Sequence, residues 1–511
     1  MTNVQQLNDK KILGHPVGLF VLFFTEMWER FSFYGMKALL IFYLTKYHLF
    51  SDDGGYMLIG SYAALGYAAP VLGGYIADRY LGFRKAIIFG GILLVLGHLG
   101  MAFEGNAATL SVTGEIVRDD FALQVFYFSL AFIIVGVGYL KANISSLVGE
   151  LYEKGDNRRD SGFTIFYMGI NLGSLFASLL CVWLGETYGW GYGFGAAGIG
   201  MILGLITFIL GKKYFNGKGE TNFPVELNNK QFGLKTEYLI YILSVFSTVI
   251  FWQMVQRHKV VENILLICLS ISFVFILYFG FKKVDKVARE RLFSLGILII
   301  FSTVFWALFE QAYTSLNLFA DRVLDTTFLG IKWKPGQFLS LNSFFIISLA
   351  PIFAWLWVKM GKYNPNTAIK FSLSLILVGL GFGSLMLGSN ISGDGQVAAI
   401  WLVLLYLLHT MGELCLSPVG LSAVTKLSPA KIVGFMMGVW FLATASSEYI
   451  AVLLAKLSSV DKNADFITVK TAYFDLFELL FYIGIGTGIF LLLLSPIIRK
   501  YMHGVDKELN K

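Results

Sequence analysis

VGLFVLFFTEMWERFSFYGMKALLIFYLTKY, residues Val17 to Tyr47, is an apolar run with Glu26, Glu29, Arg30 and Lys37 inside it. As a helix it is long enough to cross a hydrocarbon core of about 30 Å. Each interior charge costs roughly 2.5–3.5 kcal/mol at a helix centre on the insertion scale, so such charges are kept for a reason. At 100° per residue, Glu26, Glu29, Arg30, Tyr34 and Lys37 fall on one face about 140° wide. That face cannot point at lipid. It has to border polar space inside an assembly of helices.

The rest of the chain supplies that assembly. Its 511 residues are 56% hydrophobic and only 14% charged, against about 25% charged in ordinary globular chains, and the mean hydropathy is +0.68. Hydropathy predicts helices over Val17 to Tyr47, Tyr56 to Arg79, Lys85 to Glu104, Phe121 to Leu151, Gly162 to Gly185 and Tyr192 to Lys213. After a polar linker come Glu237 to Gln256 and Val261 to Phe281. The last six are Leu292 to Ala320, Gln337 to Met360, Thr367 to Gly388, Val397 to Lys426, Val433 to Leu457 and Ala472 to Arg499. The fold class is therefore an all-α polytopic membrane protein with fourteen spans. Disorder, a secreted disulfide scaffold and a soluble enzyme are excluded. The three cysteines, Cys181, Cys268 and Cys415, lie within apolar runs and read as small core residues.

Three domains are expected: a six-helix bundle over 1–214, a linker with two extra spans over 215–290, and a second six-helix bundle over 291–511. An even span count leaves both termini on one side of the membrane. The lysines and arginines gather at loop ends on that side, so both termini are expected in the cytoplasm. The first residues carry two lysines and no small-residue cleavage site before the long apolar run, so no removable signal is expected. The net charge of +7 reads as cytoplasmic loop charge rather than affinity for nucleic acid.

Beyond the first helix, intramembrane charges recur at Lys141, Glu310 and Glu413, giving three cations and four carboxylates on four helices. Single ion pairs can simply hold helices together. This many, of both signs and with aromatic neighbours, describe a cavity suited to a zwitterion. Glu448 lies toward the outer end of its helix and is left unassigned. Asn143, two residues after Lys141, reads either as orienting that lysine or as bonding between helices. No HExxH pair, Walker loop or Gly-x-Ser-x-Gly elbow occurs, and GVGYLKAN places its glycines in a helical run where they permit close packing. An enzyme is not expected. No cofactor is expected either, and uphill transport would draw on an ion gradient. Buried carboxylates favour protons as the driving ion.

Two resemblances sharpen this. GGYIADRYLGFRK, with Gly74, Asp78, Arg79, Gly82, Arg84 and Lys85, resembles the loop motif of the major facilitator superfamily, whose charges can pair across the cytoplasmic ends of neighbouring helices. EMWERFSFYGMKALLIFYL resembles the E-x-x-E-R-F-x-Y-Y signature of the proton-coupled oligopeptide transporter family, through Glu26, Glu29, Arg30, Phe31 and Tyr34. Phe33 departs from the family's tyrosine, Lys37 from the arginine usual in bacterial members, and Ser343 from a frequent proline. The likeness continues in YLKANISSLVGELY, FYMGINLGSL, FWALFEQ, LNSFFIISLAPIFAWLW and GELCLSPVGLS. The extra helix pair also resembles bacterial members.

The resemblance implies a major facilitator fold of twelve core helices plus two inserted ones, importing di- and tripeptides with protons by alternating access. Arg30, Lys37 and Lys141 would receive the peptide carboxylate, and Asn171, Asn342 and Glu413 the amine. Glu26, Glu29, Arg30, Lys141 and Glu310 would couple proton movement, and Tyr34, Tyr67, Trp306 and Trp440 would line side-chain pockets. The expected partners are short peptides, protons and the lipid bilayer. The protein is expected to work as a monomer in a bacterial inner membrane. The rival within the family is a carrier of nitrate, another small anion or a peptide-like compound, which the amine-binding set argues against.

Overall fold

In the computed structural model, which describes residues 11–153 and 155–505, every predicted span is a helix. They are α1 Val17–Phe42, α2 Asp52–Ile76, α3 Phe83–Met101, α4 Asp120–Glu150, α5 Arg159–Tyr188, α6 Trp190–Gly211, α7 Thr236–Gln256, α8 His258–Lys282, α9 Lys286–Phe309, α10 Ser340–Met360, α11 Thr367–Ile391, α12 Ala399–Leu427, α13 Val433–Ala455 and α14 Phe466–Tyr501. Wider turns, Tyr43–Tyr47 and Ala77–Leu81, extend α1 and α2. Thirteen helices are long and apolar enough to cross a membrane. α1 is the fourteenth, set apart by its interior charges. The segment ahead of Lys11, on which the expectation about a signal rests, lies outside the described residues.

Capping side chains begin several helices. The carboxylates of Asp119, Asp285 and Asp465 and the amide oxygen of Asn366 accept the backbone N–H three residues on, at 2.9–3.2 Å, starting α4, α9, α14 and α11. The Ala122 and Asn106 N–H groups beside Asp119 hold its carboxyl below the usual carboxylate range.

The chain forms two compact units. One comprises the residues up to Leu49 with Leu65–His258; the other comprises Phe50–Ala64 with the residues from Lys259 on. The division falls between the inserted helices α7 and α8. In the first unit α7 is fastened to its bundle along its length: Lys85 Nζ meets Glu237 at 2.7 Å, Tyr139 OH meets Ser244 Oγ at 2.6 Å, and Trp252 Nε1 donates to Gln124 Oε1 at 3.0 Å. In the second unit α8 is held by Tyr449 OH donating to Glu262 Oε2 at 3.2 Å and by Phe275 against Phe435 at 4.5 Å. Only 17% of the most apolar stretch of α7 and 11% of that of α8 is buried, against 72% for α4. The inserted pair therefore presents mostly a lipid-facing surface, as its plain composition implies.

Small residues let core helices touch backbone to backbone. A Cβ on Gly90 of α3 would stand 2.7 Å from the Gly136 carbonyl oxygen of α4, and one on Gly136 would stand 2.8 Å from that of Gly90. In the second unit Gly379 and Gly484 do the same for α11 and α14, where Ser372 Oγ also donates to the Gly488 carbonyl at 2.7 Å. Gly90→Val is expected to cost at least about 3 kcal/mol, because neither backbone can retreat. Gel filtration of the detergent-solubilised variant checks this, with a retained monodisperse peak and unchanged melting as the contrary result.

Three sequence expectations change. α9 stops at Phe309, a tight turn spans Glu310–Tyr313, and a short helix resumes at Ser315–Arg322 after Thr314 (φ −128, ψ −98), where one unbroken helix was expected. Side chains repair the break: Gln311 Nε2 donates to the carbonyls of Ala307 and Ala451 at 3.2 and 2.8 Å, and Ser315 Oγ donates to Gln311 Oε1 at 2.6 Å. Irregular backbone within a membrane is tolerated only with such partners. Cys268 is exposed on α8 rather than a core residue, while Cys181 and Cys415 are buried. The loop-motif cations reach the linker and α7 rather than core helix ends: Arg84 pairs with Glu220, Lys85 with Glu237, and Arg79 lies over the Phe223 ring at 5.3 Å.

At the start of α2, within the second unit, Arg322 grips Asp52 with a two-pronged contact at 2.6 and 2.7 Å, and Lys456 lies 3.3 Å from Asp53.

Candidate functional site

In the first unit the charged face of α1 is buried, as its cost in lipid requires. Glu26, Glu29, Arg30 and Lys37 are each at most 4% exposed. Arg30 Nε donates to Glu26 Oε1, one helical turn back, at 2.8 Å and lies 2.7 Å from Glu29 Oε2. One N–H cannot serve two acceptors in line, so the Glu29 contact is ionic only. Among the described residues, Glu26 Oε2 and both Glu29 oxygens accept no hydrogen bond. A buried carboxylate left short of donors is costly unless a proton, a cation or a ligand completes it.

The face of α1 is joined by α4. Lys141 places its ammonium 3.8 Å from the Tyr67 ring centre and 6.0 Å from that of Phe33. The Arg30 guanidinium lies 5.6 Å from the same Phe33 ring. Phe33 thus keeps the aromatic face that two cations share, although it lacks the hydroxyl of the family pattern. Tyr34 stands edge-on to Phe33 at 5.4 Å and is half-buried. The formal charges of Glu26, Glu29, Arg30, Lys37 and Lys141 sum to +1, so one added anion neutralises this cluster. Asn143 Nδ2 donates to the Tyr139 carbonyl of its own helix at 2.7 Å, and neither expected role for it is seen. Asn171 Nδ2 likewise donates to Tyr167 O at 3.1 Å.

The second unit carries buried carboxylates of its own. Glu413 of α12 is buried, and Asn342 Nδ2 of α10 donates to its Oε2 at 3.0 Å and also contacts Thr410 Oγ1 at 3.0 Å. Glu310 is 9% exposed at the first residue of the break that ends α9. Trp306, one turn earlier, packs edge-on against Phe305 and Phe309 at 5.2 and 5.3 Å. A Cβ on Gly420 would stand 2.5 Å from Trp440 Cη2, so the indole is seated against α12. Glu448 is buried in α13.

The structure therefore brings together Glu26, Glu29, Arg30, Tyr34, Tyr67 and Lys141 in one unit, and Asn342 with Glu413 in the other. Sequence reasoning missed Thr410 and the role of Phe33. Thr410 stands three residues before Glu413, one helical turn away, and that spacing was the available signal. Among the described residues no cluster could hold a metal ion.

The sequence profile of PTR2, the POT family, matches residues 84–473. The chain belongs to the POT family. The α1 signature lies ahead of the matched stretch, but full-length relatives extend across it. An uncharacterized transporter of Bacillus subtilis is 41% identical, with 98% of each chain covered. A peptide transporter of Yersinia enterocolitica is 36% identical over 89% of this chain and 90% of its own. Among solved structures, a peptide transporter POT in complex with sulfate superposes with a TM-score of 0.82 at 36% identity, covering 98% of this chain and 99% of the other. This POT chain has the fold of those neighbours and is a multi-pass membrane transporter, not an enzyme.

Proposed function

We propose that the protein is a proton-coupled symporter of di- and tripeptides. Two observations, each within one unit, support the reading: in the first, a cluster one anion short of neutrality around Arg30 and Lys141; in the second, the buried Glu413 carboxylate held by Asn342. A zwitterionic peptide carries a group suited to each. Its carboxylate goes to Arg30, Lys37 and Lys141, and its ammonium to Glu413 and Asn342, with Asn171 assisting. Clamping the main chain at its ends leaves side chains to aromatic walls at Tyr34, Tyr67, Trp306 and Trp440, which reads length more than sequence. A bare anion would bring no cation to the charge of Glu413, which Asn342 meets only with a neutral amide. Relatives named peptide transporters support the same reading.

Proton coupling follows from the same charges. A proton can settle on Glu26 Oε2 or Glu29 Oε1, neither of which accepts a hydrogen bond among the described residues, without displacing the contacts of Arg30 to Glu26 Oε1 and Glu29 Oε2. Neutralising either carboxylate frees Arg30 to attract substrate carboxylate more strongly, so proton and peptide bind together. Glu310, at the broken end of α9, is the second proposed proton carrier. Rocking of the two units would then deliver both to the cytoplasm. We place the transporter in the inner membrane with both termini cytoplasmic. We take the working unit to be a monomer.

The test is labelled dialanine uptake into liposomes with an inward proton gradient. Wild-type accumulation that an uncoupler abolishes is the expected result. Glu310→Gln should lose accumulation yet keep exchange of internal for external peptide. No dialanine movement by correctly inserted protein would end the peptide reading and direct attention to small anions.

A further inference from the structure

A cavity of about 250 Å³ lies in the first unit between α2, α4 and the inserted helix α7, and none of the charged residues of α1 lines it. It exists because α2 and α4 cross closely: a Cβ on Gly138 would stand 3.1 Å from the carbonyl oxygen of Ala69, leaving an angle between the two helices that α7 spans. Leu72, Ile76, Val135, Ile240, Leu243 and Phe251 give it an apolar wall. Its hydroxyls are already used. Tyr139 OH and Ser244 Oγ bond each other at 2.6 Å, Ser244 Oγ also donates to Ile240 O at 2.7 Å, and Ser247 Oγ donates to Ser244 O at 2.7 Å. Each hydroxyl proton is thus committed to a protein acceptor, and the rest of the wall is apolar.

Depth and surroundings name the occupant. Ser244 is eight residues into α7, about 12 Å along a helix that crosses a core of about 30 Å. The outer face of α7 at this level, with Phe246 67% and Ile250 61% exposed, is bathed in hydrocarbon. An open void at that depth forfeits dispersion contacts unless an acyl chain fills it. The end of the seam where α2 finishes and α7 begins carries the second requirement of a phospholipid. A hairpin pairs Lys230–Gln231 with Leu234–Lys235 and holds Phe232 at its tip, 95% exposed. Arg79 lies at the end of α2. Arg79, Lys230 and Lys235 are exposed, and among the described residues none of the three is in an ion pair. A solvent-exposed phenylalanine between lysines fits a membrane–water boundary, where basic side chains attract anionic headgroups.

We infer that this seam is an anionic phospholipid site, with one acyl chain in the cavity between α2, α4 and α7 and the phosphate over Arg79, Lys230 and Lys235. The lipid would wedge the inserted helix onto the first bundle, adding to the three polar contacts already described.

The experiment reconstitutes the full chain in phosphatidylethanolamine vesicles doped with phosphatidylglycerol bearing a photoactivatable group at mid-acyl chain. Irradiation and peptide mapping should concentrate adducts on 135–139 and 240–251, at least about threefold above the lipid-facing stretch Ile271–Val274 of α8. Ser247→Phe, which fills the cavity, should return those peptides to the level of α8. The double change Lys230→Gln with Lys235→Gln should lower phosphatidylglycerol adducts by about 30-fold, at roughly 1 kcal/mol per basic residue, while leaving those of a photoactivatable free fatty acid unchanged. Adducts spread evenly around the protein in the wild type, or insensitivity to both variants, overturn the proposal. Should Ser247→Phe fail to insert, native mass spectrometry of delipidated wild type decides: one retained phosphatidylglycerol supports the site and none refutes it. Neither readout depends on peptide transport.

Discussion

Arg30→Gln is expected to reduce proton-driven dialanine uptake more than 100-fold and to destabilise the first unit together. Arg30 Nε lies within 3 Å of both Glu26 and Glu29, and all three side chains are buried. Removing one member of a buried ion cluster typically costs about 3–5 kcal/mol, because the remaining charges keep their desolvation penalty without the attraction. Thermal unfolding in detergent reads that cost. Adding Glu26→Gln to Arg30→Gln should restore much of the stability, since it removes a stranded carboxylate, but none of the uptake. Arg30→Lys should melt near wild type yet transport poorly, because a point charge cannot reproduce the directed Nε bond to Glu26. Wild-type uptake by Arg30→Gln would remove the residue from the substrate site. Recovery of uptake in the double variant would reduce it to a structural counter-ion.

Glu413→Gln is expected to weaken dipeptide binding about 10- to 150-fold, the range corresponding to one charge-assisted hydrogen bond of roughly 1.5–3 kcal/mol. The glutamine keeps the shape of the side chain and can still accept from Asn342, so the unit should fold normally. What it lacks is the negative charge for an ammonium. The informative comparison is therefore between dialanine and its N-acetylated form: the first should lose affinity and the second, which has no ammonium, should be unchanged from its already weak binding. Competition against labelled dialanine in proteoliposomes measures both. Equal losses for the two would show that Glu413 acts on the fold rather than on the amine, and the peptide reading would then rest on the Arg30 cluster alone.

The site was legible where chemistry is expensive. A carboxylate or guanidinium inside an apolar run announces itself, so Glu26, Glu29, Arg30, Lys37, Lys141, Glu310 and Glu413 could be named before any coordinate, and all but Lys141 prove to be buried. Residues whose placement costs little did not stand out. Thr410 sits in a membrane helix as unobtrusively as any hydroxyl that bonds its own backbone, which it also does, to Tyr406 at 2.7 Å. Phe33 reads in sequence as the departure of one hydroxyl from the family pattern, while in the fold its ring lies beside two cations. Asn143 reads either as orienting Lys141 or as bonding between helices, and sequence does not show that its amide donates to a backbone carbonyl one turn back.

The fold divides along similar lines. Segment length, apolar composition and the one-sided charges of Val17 to Tyr47 determined by themselves that the chain is a fourteen-helix membrane protein with a polar interior, since the transfer energies of side chains and backbone in hydrocarbon admit no other arrangement. Only the tertiary structure decided which groups meet: that α9 ends at Phe309 and a short helix resumes after Thr314, with Gln311 bonding across to Ala451 O, that α7 belongs with the first unit and α8 with the second, and that Asn342 donates to Glu413. Hydropathy is a property summed over a segment and is nearly indifferent to order within it. Contacts depend on which side chains lie within about 3 Å of each other across helices distant in sequence, and nothing in a single strand of letters encodes that distance.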